Sequence, residues 1–145
     1  MADESITHLY GMPADKAFDA VCTAVSDLSE YSVKQIQAEA LWGHWVSRSG
    51  NQAFLEIQVS PEGTGCRIDL ELRNSDMRDR VGLLRREAKR VAGRIQQRME
   101  GQVTGLEPPP PQRAITDRMV IVGALIAVFA TGALYSVYLR VAALF

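Results

Sequence analysis

Between Met119 and Leu139 the chain runs for 21 residues without a charged side chain, close to the end of its 145 residues. Coiled as an α-helix at about 1.5 Å per residue, such a run is roughly 31 Å long, the thickness of the hydrocarbon core of a bilayer. The competing reading is a helix buried inside a soluble oligomer. Buried core helices, however, have apolar stretches nearer about 10–14 residues and are seldom apolar all round. The run predicts one transmembrane helix over 119–139, followed by a short apolar tail over 140–145.

Orientation follows from what flanks the run. Arg113 and Arg118 precede it and Arg140 follows it. The first residues, "MADESITHLYG", have neither the basic region nor the apolar region of a signal peptide. With a basic stretch upstream of the run, this predicts a cytoplasmic N-terminal domain and a C-terminus across the membrane, a tail-anchored layout. Tyr135 and Tyr138 suit the far interface, where aromatic rings sit among headgroups. Cys22 and Cys66 are too few for a disulfide framework, and a cytoplasmic head keeps them reduced.

The run contains no His, Asp, Glu, Asn or Gln, so this chain alone offers no axial ligand and no ionisable path through the membrane. It does carry small residues. Gly123, Ala127 and Thr131 recur every four positions, with Ala130 beside them, and such spacing lets helix backbones approach closely in lipid. These four are the candidate packing face. Arg140 is either a snorkelling interfacial arginine or, with the "VAALF" tail, a docking point on another membrane protein.

Ahead of the run there is room for one soluble domain of about 100 residues, enough for a modest core but not for a large ligand cavity. "HLYGMPADKAFDAVCTAVSDLSEY" reads as a strand and then a helix, with Ala14, Phe18, Val21, Cys22 and Val25 on one face. "YSVKQIQ" and "LWGHWVSR" suggest the next two strands. "NQAFLEIQVS" places Ala53, Leu55, Ile57 and Val59 on one side. "CRIDLELR" places Cys66, Ile68, Leu70 and Leu72 on one side and charges on the other, the alternation of a half-buried antiparallel strand. "SGN" and "PEGTG" mark turns. A long helix is expected from about Asp76 to Glu100, with Val81, Leu84, Ala88, Val91, Ile95 and Met99 as its apolar stripe. The predicted class is α+β: an antiparallel sheet in the order β-α-β-β-β-β-α, with both helices on one face, joined to the membrane helix.

This order, with the longest helix last and the phrase "PADKAFDAVCTAV" opening the first helix, resembles a trimmed helix-grip domain of the START and polyketide-cyclase type, over roughly Ser5 to Glu100. The resemblance implies a sheet gripping its final helix. In larger members of that group an apolar ligand lies between the two.

Charge is unevenly placed. Residues 1–72 hold 11 acidic and 4 basic side chains, and residues 73–100 hold 4 acidic and 9 basic, balances of −7 and +5. Arg86, Arg90, Arg94 and Arg98 recur every four positions. Because four residues turn about 400°, the row winds from the face opposite the apolar stripe onto its flank. It is read either as a solvated face with internal ion pairs or as a seat for anionic lipid or an acidic partner surface. Trp42 and Trp45, three apart in a strand, face opposite sides of the sheet and are the other contact candidates. Nucleic acid is not expected as a partner, because the rest of the domain is acidic and this helix has no interleaved aromatics.

No GxSxG, phosphate loop or HExxH is present, and His8 and His44 stand alone. The sequence therefore predicts no catalytic residues, no cofactor and no metal site. Residues 101–118 read as a Pro-rich linker, with "GQVTG" flexible on the head side and Pro108–Pro111 extending about 12 Å as polyproline II. The expected function is a non-catalytic accessory subunit that stabilises or helps assemble a larger membrane complex, the respiratory and photosynthetic complexes being of the type that carries such subunits. The alternative is a membrane-tethered module that binds a small ligand or lipid.

Overall fold

The structure is a computed structural model and describes residues 2–48, 53–75 and 82–111. The expected membrane helix and tail and the second part of the linker lie outside the described residues, as does Val81. Among the described residues no helix is long and apolar enough to cross a membrane.

Seven elements follow one another: β1 (Ala2–Tyr10), α1 (Ala14–Asp27), β2 (Tyr31–Gln37), β3 (Trp42–Ser47), β4 (Ala53–Glu62), β5 (Gly65–Asn74) and α2 (Leu83–Thr104). The five strands form one antiparallel sheet in the order β1-β5-β4-β3-β2. The expected α+β class of the head and its element order from β1 to α2 are those found.

Period-two alternation sets the register. Leu55 lies opposite Leu72, Ile57 opposite Leu70 and Val59 opposite Ile68, and all six side chains are buried on the inner face. Each such apolar cross-strand pair adds about 0.2–1 kcal/mol over alanine. The intervening positions of β5, Arg67, Asp69, Glu71 and Arg73, form the outer face. There Arg67 pairs with Asp69 at 2.9 Å and Arg73 with Glu71 at 2.7 Å.

Both helices lie against the inner face. α1 starts after Pro13, whose carbonyl accepts the Ala17 amide at 3.0 Å, and buries Ala17, Phe18, Ala20, Val21, Ala24 and Val25. α2 buries Leu84, Ala88, Val91, Ile95 and Met99, the apolar stripe expected from the sequence. Trp45 completes the core at 1 % exposure. Its indole lies directly over Gly43, two residues back on the same face, where a Cβ would meet the ring at 2.2 Å.

α2 differs from expectation at both ends: it starts at Leu83, after Gly82 in a left-handed conformation (φ 65°), and not near Asp76. It continues past Glu100 to Thr104, so the residues read as a flexible start to the linker are its last turn. The stop comes at Gly105, the first residue there to take a left-handed conformation (φ 71°), and its amide donates to the Gly101 carbonyl at 2.8 Å. Gly101 itself does not end the helix.

Candidate functional site

α2 meets the end of α1 through charge. Asp27 is the last residue of α1, next to the negative end of that helix, a poor place for a carboxylate taken alone. Two guanidiniums of α2 offset this. Arg98 donates to it through Nε at 2.6 Å and Nη2 at 2.7 Å. Arg94 donates to it through Nε at 2.9 Å and lies 2.7 Å away through Nη2. These hydrogen bonds, that from Arg98 first, hold the Asp27 carboxyl below its ordinary range.

One turn towards the amino end of α2, a second group forms. Arg90 donates to Glu87 through Nε at 2.9 Å and Nη2 at 2.7 Å, and also to Glu30. Tyr31, the first residue of β2, donates its hydroxyl to Glu87 at 2.8 Å. Burial pushes both the Glu87 carboxyl and the Tyr31 hydroxyl up, and pulls Arg90 down to about 10, so that it remains charged at neutral pH. The two groups form a clasp that fastens α2 to the end of α1 and the start of β2.

The clasp also holds the chain beyond α2. From Gly105 the backbone folds back, passing with the Leu106 carbonyl and Pro108 Cδ over Gly101. Arg94 then donates through Nη1 to the carbonyl of Pro109, and to Gln97 at 3.2 Å. The lengths agree. From Thr104 back to Arg94 the helix spans about 15 Å, and the five residues from Gly105 to Pro109 cover about the same distance at polyproline rise. Residues 105–109 thus form a strap along the α1–α2 flank. Under it lies an open cleft of about 320 Å³, walled by Thr23 of α1, Arg98 and Gln102 of α2, and Leu106 and Glu107 of the strap.

The expected contact residues are placed unequally. Of the arginine row, Arg86 is exposed, while Arg90, Arg94 and Arg98 are engaged in the clasp. Arg94 is 5 % exposed and is part of the helix–helix joint, a correction to its reading as a surface residue. The row winds onto the flank, where Asp27 at the end of α1 and Glu30 just beyond it supply the carboxylates. Trp45 is likewise corrected from a contact candidate to a core residue. Trp42 is half-buried on the outer sheet face, 6.1 Å between ring centroids from His44, which stands 6.0 Å from Phe54. Lys34 lies over the Phe54 ring at 5.6 Å. Gly123, Ala127, Ala130, Thr131 and Arg140 lie outside the described residues.

The sequence reading missed Asp27, Glu30 and Pro109 as partners of the row. The local signal was a carboxylate at the end of a helix with no basic residue in its last turn. Cys66 is buried and Cys22 half-buried, and burial raises both thiols. Among the described residues no group of three His, Cys, Asp or Glu side chains is placed to hold a metal ion.

A scan of family models matches none, and a search of the curated proteins finds no relative. Solved structures do match. Ara h 8.0201 superposes with a TM-score of 0.54 at 11 % identity, covering 72 % of this chain and 99 % of its own. TTHA0849 from Thermus thermophilus gives 0.46 at 15 % identity, with coverage of 72 % and 98 %. CalU16 from Micromonospora echinospora gives 0.44 at 18 %, with coverage of 70 % and 86 %. The likeness to Ara h 8.0201, at so low an identity, speaks for the fold alone. With the strand order and the long final helix, it places the described domain among α+β folds of the helix-grip type.

Proposed function

We propose that the chain is a non-catalytic, tail-anchored accessory subunit of a larger membrane complex, its α+β head on the cytoplasmic side and its apolar run in the bilayer. The observation that carries this reading is the strap. Arg94, buried and paired with Asp27, holds the Pro109 carbonyl, so the first part of the linker is fixed to the head. A joint of this kind suits a subunit that holds a set position beside its neighbours. The inner sheet face supports the same reading, since Trp45, Leu55, Ile57 and Leu72 occupy the region between sheet and final helix.

A second reading, a membrane-tethered ligand- or lipid-binding module, rests on the cleft under the strap. Its volume lies at the lower end of ligand pockets. Gentle detergent extraction through an amino-terminal tag, followed by mass spectrometry, separates the two. Membrane subunits co-purifying in fixed ratio are expected. A lone chain carrying a lipid or small molecule would overturn the first reading in favour of the second.

A further inference from the structure

The exposed face of α2 is not uniform. Arg85, Arg86 and Lys89 occupy its first two turns, while Gly93, Gln96, Gln97 and Glu100 continue it, so the face is basic at the amino end and neutral to acidic at the other. Arg85 is 68 % exposed and only loosely opposed by Glu4 at 3.7 Å. This basic end contributes nothing to the helix itself, because its first turn contains no acidic residue and cations there face the positive pole of the dipole. It also lies apart from the clasp, whose arginines turn to Asp27, Glu30 and Glu87.

The strap gives the direction. It leaves the carboxyl end of α2 and travels back along the helical side of the domain, reaching the level of Arg94 at Pro109. As far as Pro109 the strap therefore runs in the direction of the basic end. After Pro111 seven residues, two of them Arg113 and Arg118, precede Met119. They reach at most about 25 Å fully extended.

We propose that Arg85, Arg86 and Lys89 form the membrane-facing surface of the head and dock on the anionic headgroups of the leaflet in which the chain is anchored. This rests on the anchored reading above. The occupant follows from complementarity: three exposed cations on two helical turns, in a chain whose stretch between Pro111 and the apolar run is too short to carry the head far from the leaflet. The outer sheet face, with Trp42 and Lys34, then points away from the lipid.

The sequence supplies the probe, for the chain has three lysines, Lys16, Lys34 and Lys89, and Lys34 is on the outer sheet face. The full chain is placed in bilayers of phosphatidylcholine, with and without phosphatidylserine, and amine acylation is followed at each lysine by mass spectrometry. Each cation near an anionic leaflet favours the docked state by about fivefold. Lys89 is expected to react at least about fivefold more slowly in the anionic bilayer, with Lys34 unchanged. The protection is expected to disappear as the screening length shrinks from about 10 Å at 0.1 M salt to about 3 Å at 1 M. The double variant Arg85→Gln, Arg86→Gln, which removes two exposed charges, is expected to melt like the parent yet lose most of the protection.

Equal Lys89 reactivity in the two bilayers, or slowing at Lys34 instead, overturns the proposal. Flotation separates this failure from that of the anchored reading. A chain that floats with neutral vesicles while Lys89 stays reactive in anionic ones leaves the anchor standing and removes the docking. A chain that floats with neither removes both.

Discussion

Asp27 ties three elements together, since it accepts from both Arg94 and Arg98, and Arg94 in turn holds the strap. Asp27→Asn leaves Arg94, at 5 % exposure, without its counter-charge. Removing one partner of a buried pair costs about 3–5 kcal/mol; the lower end is expected here because Asp27 is partly open to water. Tryptophan fluorescence during urea unfolding of the full chain in mild detergent measures it. The pH dependence follows from the depressed Asp27 value. Such a carboxylate stabilises the fold above its unfolded value of about 3.9, and loses that contribution as pH falls through the lower folded value. The gap between parent and variant is expected to be full at neutral pH and to close below about pH 4. A gap constant down to acid unfolding would mean that the pair does not hold the fold. Glu87, raised by burial, acts in the opposite sense, its contribution falling as pH rises past about 4. At this scale the sequence was half legible. The four-residue spacing showed that the arginine row winds onto the flank of α2. It did not show that Asp27 and Glu30, some 60–70 positions away, would meet it there, because no local period encodes a long-range pair.

β4 and β5 were readable almost residue by residue, because one buried face forces a period of two and a one-residue slip would turn every side chain over. β3 was readable in its faces: three positions apart, Trp42 and Trp45 point oppositely, and Trp45 is the inward one. Less readable were features set by backbone geometry. The register shift between Val33 and Gln35 in β2 carries no signature in "YSVKQIQ", and the end of α2 depended on which glycine turned left-handed. The packing of β3 gives a test at this scale. Gly43 leaves the space that the Trp45 ring fills, and the ring is too enclosed to move aside. Gly43→Ala adds one methyl group there, and overpacking of this kind destabilises by about 1–3 kcal/mol. The expected result is a lower unfolding midpoint with tryptophan emission shifted to the red before unfolding begins. A variant as stable as the parent would place the indole elsewhere.

The whole molecule combines two kinds of order. The head draws its stability from a core shared by one sheet and two helices, and its class was legible because element order and amphipathic faces suffice to fix a layered packing. The strap was not legible. Four prolines read as a spacer, and nothing local to Pro109 announces that its carbonyl will be held by a buried arginine 15 positions earlier. The apolar run, in contrast, is expected to work through side-chain size alone, which makes the two parts separable by mutation. Gly123→Ile with Ala127→Ile keeps the run at least as apolar, so the chain is expected to stay in the membrane fraction through extraction at high salt. The head is expected to unfold at an unchanged midpoint, since its core is drawn from residues between Ala17 and Met99. Only association is expected to change: bulk at the small positions prevents close backbone approach, and subunits that co-purify with the parent should be lost or much reduced. Undiminished co-purification would move the contact away from Gly123 and Ala127, to Arg140 and the tail or to the outer sheet face around Trp42. Release from the membrane would instead show that the run is not held by its hydrophobicity, and the anchored reading would fall with it.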